Sequence, residues 1–143
     1  MKPFGLIEKA FFLKKVRVFR ELDLELLLAI AEKLHADEYD KDEVVFTSGH
    51  VANRLYFIVD GTVAILDERK QLIQTLSHHE LFGDEALFSQ KQRGYHVLCT
   101  TDSLLLTLSR SHLLSIISEC PSVAVAFLHL YSEELPCRHV KIP

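Results

Sequence analysis

Cysteine is scarce in this chain of 143 residues, and its three cysteines form no C-x-x-C pair. They stand at Cys99, Cys120 and Cys137. An odd set without paired spacing argues against a secreted disulfide framework and against a zinc site built on cysteine. We therefore expect the protein in a reducing compartment, the cytoplasm.

Long apolar runs are also missing. No run approaches the roughly 18 apolar residues that a membrane-spanning helix needs. Near the N-terminus, Glu8 and Lys9 separate two short apolar stretches, so the apolar centre of a signal peptide does not form. We expect neither a membrane span nor a signal peptide.

Positive charge is in the minority, with 16 Lys and Arg against 20 Asp and Glu and a formal net charge of -4. Domains that bind nucleic acid usually show a basic face, so we expect no nucleic-acid partner for this chain. No helix-turn-helix pattern or basic stretch follows Leu135. One buried arginine can still hold a small anion inside an acidic protein.

Catalytic signatures are absent as well, because the sequence has no G-x-S-x-G, no P-loop and no Cys/His nucleophile arrangement. His78, Glu80 and His96 could share a metal ion if their strands are neighbours. His79 cannot easily join His78, since successive strand residues point to opposite faces. We expect turn or surface histidines, no metal, no cofactor and no enzyme. A metal enzyme of a related barrel type remains a third alternative, which would require stoichiometric metal.

The composition that is present fits one globular domain. Hydrophobic residues make up 48% and charged residues 25% of the chain. A chain of roughly 150 residues buries about two-thirds of its unfolded surface, which is enough for a real core. We predict a single domain over residues 1–143, with helices in 1–35, strands in 36–109, helices in 110–135 and a frayed tail at 136–143.

Helical spacing of apolar residues marks both ends of the chain. A short N-terminal helix is predicted from one apolar face, formed by Leu6, Ile7, Ala10 and Phe11. A second helix is predicted to begin at the N-cap Asp23, with an apolar face of Leu24, Leu27, Leu28, Ala31 and Leu34. Residues 111–119 and 122–135 form two more predicted helices, separated by Pro121. The last is apolar nearly all round, so it packs deep in the core or meets a partner.

The middle of the chain is typical of short strands. Residues 43–47, 54–59, 62–66, 71–76, 95–100 and 104–108 are the predicted strands. Asp60-Gly61 between two of these runs predicts a β-hairpin. Residues 67–70 and 101–103 are predicted turns. Several short strands with turns between them favour an antiparallel sandwich or barrel, and hence an α+β fold that is mainly β.

One segment has the features of a ligand site. Residues 81–87 read Leu-Phe-Gly-Asp-Glu-Ala-Leu. Gly83 permits an unusual backbone angle and close approach of a ligand, and residues 84–87 can form one helical turn with free N–H groups. Arg93 follows ten residues after Gly83, and its planar fork suits two phosphate oxygens. A carboxylate at Asp84 can accept hydrogen bonds from sugar hydroxyls.

These motifs, in this order, resemble the cyclic nucleotide-binding domain family. That family is the β-roll shared by catabolite activator proteins, cyclic-nucleotide-gated channels and kinase regulatory subunits. The resemblance covers residues 13–135. It is carried by Leu-Lys-Lys-Val at 13–16, Glu-Val-Val-Phe at 43–46 with Ser48-Gly49, residues 55–63, the cassette-like Phe-Gly-Asp-Glu-Ala-Leu at 82–87, and Arg93.

The resemblance implies an antiparallel β-roll, a jelly-roll-like double-stranded β-helix, flanked by N-terminal and C-terminal helices. It implies a sensor module that binds cyclic AMP or a related cyclic nucleotide and signals through its C-terminal helices to a homodimer partner or an effector domain. The phosphate-binding cassette would occupy residues 82–96. The ligand-binding residues implied are Phe82, Gly83, Asp84, Glu85, Ala86, Arg93, Gly94, Tyr95 and His96.

The chain also departs from the family pattern at four positions. Asp84 stands where the family prefers a longer glutamate, and Glu85 replaces an apolar residue. His79 occupies a glycine position, and His96 occupies one that often carries a hydroxyl. We expect Glu85 to face away from the phosphate or to pair with Arg93 when no ligand is bound. These departures keep a second hypothesis open, a degenerate module that has kept the fold and binds protein.

Overall fold

The computed structural model describes residues 4–135, and the predicted tail at 136–143 lies outside them. Within this range the helices are α1 (Leu6–Lys14), a short 3-10 turn (Arg17–Phe19), α2 (Leu24–Ala31), α3 (Glu85–Ser89), α4 (Arg110–Glu119) and α5 (Ser122–Glu134). The strands are β1 (His35–Tyr39), β2 (Val44–Phe46), β3 (Arg54–Asp60), β4 (Val63–Leu66), β5 (Leu72–Leu76), β6 (Leu81–Phe82), β7 (His96–Cys99) and β8 (Ser103–Ser109).

The strands of the described range form two four-stranded sheets, ordered β1-β8-β3-β6 and β2-β7-β4-β5. Each paired strand runs antiparallel to its neighbour. The predicted fold class, an antiparallel β-roll with flanking helices, is confirmed. Two strands were not predicted. β1 has the polar sequence His-Ala-Asp-Glu-Tyr and is held by pairing with β8, and β6 is only two residues long.

The hairpin predicted at Asp60-Gly61 is wrong. β3 and β4 flank this pair, but β3 pairs with β6 and β8 while β4 pairs with β5 and β7. Gly61 has φ +96°, and a Cβ at that position would collide with the side chain of Ser103. The tight turn therefore carries the chain from one sheet to the other. The turn predicted at residues 67–70 does close a hairpin, β4–β5, in which the N–H of Lys70 donates to the carbonyl of Asp67 at 2.8 Å.

β3 separates two apolar cores because its side chains alternate between its two faces. Leu55 and Phe57 belong to the core beneath the helices, which includes Phe19 and Phe127. The side chains of Tyr56 and Ile58, with Phe46 and Phe82, belong to the core between the sheets. The ligand segment at β6 and α3 therefore lies where both cores meet.

The predicted N-terminal helices are confirmed, but their apolar faces are partly wrong. In α1, Leu6, Ile7 and Phe11 are exposed, whereas the buried side chains are Ala10, Phe12 and Leu13. Phe12 is buried because its ring packs on Phe4 and on the imidazole of His79.

In α2, the predicted N-cap is confirmed, because Asp23 Oδ1 accepts a hydrogen bond from the N–H of Leu26 at 2.9 Å. Leu24 is half exposed and Ile30 is buried instead. The helix ends at Ala31, so Leu34 is buried outside it.

The two predicted C-terminal helices are confirmed as α4 and α5, which meet at a bend of 111° beside Pro121. α5 buries Val123, Phe127 and Leu130, but Val125 and Leu128 on its other side are exposed. Within residues 4–135 no single helix is long and apolar enough to cross a membrane. Only the bent α4–α5 pair, taken together, has the required length and composition.

Candidate functional site

Gly83 lies between β6 and α3 in a left-handed conformation with φ +79°. A Cβ on this residue would lie 3.0 Å from Nη1 of Arg93 and 3.3 Å from the Tyr56 ring. A side chain would therefore be strained in backbone angle and crowded by both neighbours. Glycine at this position lets the Arg93 guanidinium pass directly against the main chain of the cassette.

Arg93 is buried, with 3% of its surface exposed. Its Nη1 donates to the carbonyl of Gly83 at 2.6 Å, and its Nη2 donates to the carbonyl of Arg54. The guanidinium carbon lies 4.1 Å from the centroid of the Phe46 ring. Among residues 4–135, no carboxylate lies within 4 Å of this guanidinium. Burial lowers the pKa of Arg93, but arginine stays cationic in proteins.

Asp84 is also buried, with 8% of its surface exposed. The hydroxyl of Tyr131 on α5 donates to Asp84 Oδ2 at 2.5 Å. Burial raises the pKa of Asp84, and the hydrogen bond from Tyr131 opposes part of that rise. Burial and the neighbouring Asp84 charge raise the pKa of the Tyr131 hydroxyl, so this phenol is a proton donor at neutral pH. Sequence reasoning missed Tyr131, because no motif links it to a residue 47 positions earlier.

Glu85 begins α3 and is exposed. We expected Glu85 either to face away from the phosphate or to pair with Arg93, and among the described residues this ion pair does not form.

The remaining predicted residues, Tyr95, Gly94 and His96, differ in burial. Tyr95 is half-buried, and both its burial and the Glu85 charge raise the pKa of the Tyr95 hydroxyl. Gly94 is exposed, and a Cβ there would meet no atom within 4 Å. The side chain of His96 is bonded to the loop that follows β2, where its Nδ1 accepts a hydrogen bond from the N–H of Ser48 at 3.2 Å.

A cavity of about 790 Å³ lies between the β-roll, the 3-10 turn and α5. Four predicted ligand residues line it: Phe82, Asp84, Glu85 and Tyr95. The other five, Gly83, Ala86, Arg93, Gly94 and His96, do not line it, and Arg93 is buried. From α5 the lining includes Leu130, Tyr131 and Glu134. A larger groove of about 990 Å³, between the starts of β3 and α4, contains none of the predicted ligand residues.

The charged lining of the smaller cavity is mostly acidic. The lining contains four carboxylates against one arginine, Arg17, and one histidine, His79; the carboxylates belong to Glu80, Asp84, Glu85 and Glu134. Arg17 is the one arginine or lysine in this lining, so the side chains of the lining do not by themselves favour an anion. A sugar with free hydroxyls, by contrast, finds several carboxylate acceptors.

His79 takes the positive φ expected at a glycine position, with φ +71°. Its N–H donates to the carbonyl of Ile58 at 2.8 Å, and its ring packs on Phe12. Burial lowers the pKa of this imidazole. Within residues 4–135, no three His, Cys, Asp or Glu side chains come close enough to hold a metal ion, so the metal alternative has no ligand cluster there.

Comparison with known proteins adds independent findings. The family model described as "Cyclic nucleotide-binding domain" matches residues 36–120. The chain is 23% identical over 127 residues to the "CRP-like cAMP-activated global transcriptional regulator" of Mycobacterium tuberculosis, covering 86% of this chain and 57% of that protein. It is 29% identical over 96 residues to the "cGMP-dependent protein kinase" of Plasmodium berghei, covering 67% of this chain and 11% of the kinase.

A solved structure shares the fold along nearly the whole chain. The sensor domain of the transcriptional regulator DNR from Pseudomonas aeruginosa superposes with a TM-score of 0.81 at 20% identity, covering 98% of this chain and 97% of that one. The two curated relatives are longer, and the chain spans 57% of the regulator and 11% of the kinase.

Proposed function

Because this chain belongs to the cyclic nucleotide-binding domain family, we propose that it is a regulatory sensor module that binds cyclic AMP or a related cyclic nucleotide. The observation that carries the proposal is the contact between Arg93 and the main chain of Gly83, whose sequence neighbours Phe82 and Asp84 line a cavity of about 790 Å³. A buried cation with no carboxylate partner among residues 4–135 is suited to an anionic ligand. One relative named above is a transcriptional regulator, and in the other, a kinase, the matched segment is only 11% of the protein. For this chain we therefore propose ligand binding without catalysis.

The phosphate would lie against the cassette main chain, between Gly83 and Ala86 on one side and Gly94 on the other. A guanidinium has five N–H donors, and two nitrogens of Arg93 already bond to carbonyls of the protein. The remaining donors would hold the phosphate, and the carbonyl bonds would fix the orientation of the fork. Gly94 favours this arrangement, because it leaves open space beside the arginine.

The ribose would face the acidic part of the cavity. Asp84 is the proposed acceptor for a ribose hydroxyl, with Glu85 beside it on the cavity wall. The base would lie near Tyr95 and Leu130, on the side where α5 closes the cavity. The two curated relatives are named for cyclic AMP and for cyclic GMP, so both nucleotides are candidates for this chain.

The output of the module would pass through α4 and α5. α5 lines the cavity and contacts the 3-10 turn, where Arg17 Nη2 lies 2.8 Å from Glu133 Oε1. Ligand occupancy would shift α5 between two packings, and the moving face would meet a second copy or an effector domain. We also propose that residues 1–143 form one domain and that the protein works in the cytoplasm, where a buried thiol such as Cys99 stays reduced.

A second candidate, a fold that has lost its ligand and binds protein, is favoured by three specific observations. Arg93 has internal hydrogen-bond partners, and the carboxylates of the cavity oppose an anion. On the surface, Val125 and Leu128 of α5 are 61% and 65% exposed, which gives a partner an apolar contact. In this case cyclic nucleotides would have no effect, and α5 would mediate association.

A thermal-shift titration with cyclic AMP, cyclic GMP and AMP separates the two candidates. Ligand at about 100 times its dissociation constant adds roughly 2.7 kcal/mol to the free energy of unfolding, which raises the Tm by about 5–10 °C at this size. Arg93→Lys should abolish the shift, since an ammonium cannot form the same fork. Arg69→Lys, in the exposed β4–β5 turn, is the matched control and should keep it. No shift with millimolar cyclic AMP or cyclic GMP would reject the sensor function.

A further inference from the structure

Tyr131 and Asp84 form a contact between the C-terminal helix and the segment that carries the proposed ligand site. The phenol donates to Asp84 Oδ2 at 2.5 Å across 47 positions of sequence. Within the described residues it is the only side-chain hydrogen bond from α5 to the β-roll or the cassette, since Arg17–Glu133 joins α5 to the 3-10 turn.

Asp84 has no other side-chain partner in the described range. It stands at the N-cap position of α3 without capping the helix by its side chain, and no cation lies within 4 Å of its carboxylate. A carboxylate with one side-chain hydrogen bond retains unused acceptor positions. Within the described residues, the bond from Tyr131 is therefore the one side-chain contact that a ligand hydroxyl could replace at Asp84.

The Tyr131 ring is itself held by aromatic neighbours. Its centroid lies 6.1 Å from that of Phe127 and 6.1 Å from that of Phe88. Asp84 is 8% exposed, and both Asp84 and Tyr131 line the cavity. A ligand hydroxyl that reaches Oδ2 of Asp84 therefore has to replace the hydroxyl of Tyr131.

We propose that Tyr131 competes with the ribose 2′-hydroxyl of the ligand for Asp84, so that Tyr131 sets both the affinity and the ribose specificity of the site. The inference rests on the proposed cyclic nucleotide function and assigns a further specificity residue to it. A ribonucleotide exchanges one hydroxyl donor for another at Asp84 and displaces the tyrosine ring. The displaced ring loosens α5 on its cassette side, which couples sugar recognition to the helix that carries the output.

Tyr131→Phe tests the competition, because it removes the hydroxyl and keeps the ring. Calorimetric titrations compare cyclic AMP with 2′-deoxy cyclic AMP, which lacks the hydroxyl that would need Asp84. We expect the variant to bind cyclic AMP about tenfold more tightly, the scale of one hydrogen bond to a charged group. Its affinity for the 2′-deoxy ligand should change less than twofold, because that ligand gains nothing from a freed Asp84.

Glu133→Gln is the control for a general loosening of α5. It breaks the ion pair with Arg17 on the same helix, leaves Asp84 and Tyr131 in contact, and does not border the cavity. Its effect on the two ligands should be equal. Melting curves of each variant establish that the fold is retained before titration.

Three results would overturn the competition. If Tyr131→Phe changes the affinity for both ligands by the same factor, the hydroxyl acts on the helix and not on ribose recognition. Weaker cyclic AMP binding in the variant would make Tyr131 a ligand contact. If neither ligand binds either protein, the proposed function itself fails and the competition with it. If cyclic AMP binds to the Tyr131→Phe variant and not to the parent protein, the result supports both the proposed function and the competition.

Discussion

Arg93 and Asp84 are both buried and charged and lie nine positions apart, yet the protein satisfies them in opposite ways. The guanidinium is held by carbonyls of Gly83 and Arg54, inside the β-roll. The carboxylate is held by a side chain of the C-terminal helix, Tyr131 on α5. Main-chain acceptors in strands and tight turns cannot leave without unfolding, whereas a tyrosine can rotate away. The side of the site proposed for the phosphate is therefore built into the fold, and the side proposed for the ribose can exchange hydrogen-bond partners.

The largest effect on the free energy of unfolding is expected from removing the Arg93 guanidinium, which main-chain carbonyls hold in place. Arg93→Ala leaves one buried and one partly buried carbonyl without their donor and opens a void beside Phe46, so the free energy of unfolding should fall by about 3 kcal/mol. Urea denaturation measures it. Arg69→Ala in the exposed β4–β5 turn is the control, and its loss should stay within about 0.5 kcal/mol. Equal losses in the two variants would mean that Arg93 has no structural role.

The backbone at Gly83 should have the next largest effect. Gly83→Ala places a Cβ in a left-handed conformation, 3.0 Å from Arg93 Nη1, and should lower the free energy of unfolding by about 2 kcal/mol. Gly94→Ala is a matched control, because its Cβ meets nothing within 4 Å and it should cost less than about 0.5 kcal/mol. Denaturant midpoints compare the two, and a costly Gly94→Ala with a harmless Gly83→Ala would contradict the geometry.

Removing the charge of Asp84, which Tyr131 holds, should instead raise the free energy of unfolding. Asp84→Asn keeps an oxygen that accepts from Tyr131 but removes the buried charge, so at neutral pH it should raise the free energy of unfolding by roughly 1 kcal/mol, the scale of common stabilising substitutions. Because burial raises the pKa of Asp84 above its ordinary 3.8, the unfolded chain loses this proton first as the pH rises. The parent protein therefore loses stability between the ordinary pKa and the raised one.

The advantage of Asp84→Asn should accordingly be present at pH 7 and vanish at a pH below the ordinary value of 3.8, where both states of the parent are protonated. The difference between the two proteins, measured by urea denaturation across this range, cancels the titration of the other carboxylates. An advantage that grows toward acid pH would show that the Asp84 charge stabilises the fold.

The smallest effect on stability is expected from breaking the ion pair that joins α5 to the 3-10 turn. Glu133→Gln breaks an ion pair with Arg17 whose side chains are 46% and 54% exposed. Exposed pairs contribute about 0–1 kcal/mol and weaken with salt. The melting temperature should fall by no more than about 4 °C at low salt. A larger fall would make this ion pair, and not the Tyr131 contact, the main attachment of the helix.

Local patterns were sufficient to predict the helices and most strands. Asp23 caps α2 because its side chain meets the N–H of Leu26 within one turn, and Pro121 separates α4 from α5 by its own geometry. At Asp60-Gly61 the turn chemistry was correct, but strand pairing depends on distant partners, and β3 pairs with β8.

The same limit applies to the site. Gly83 and Arg93 are ten positions apart, and their spacing within one motif predicted a shared site. Tyr131 reaches Asp84 only after the whole β-roll has folded, so nothing near either residue indicates the pair. β1 was missed for a related reason, since its polar residues form a strand only through β8.

The most direct test of the account is a two-dimensional amide NMR titration of the protein with cyclic AMP. Saturable shifts should appear together at the amides of Gly83, Asp84 and Gly94 in the cassette and at Leu130 and Tyr131 on α5, with the β4–β5 turn unchanged. Titration to millimolar cyclic AMP and cyclic GMP without shifts at these amides would contradict the account, and the search would turn to protein partners of α5.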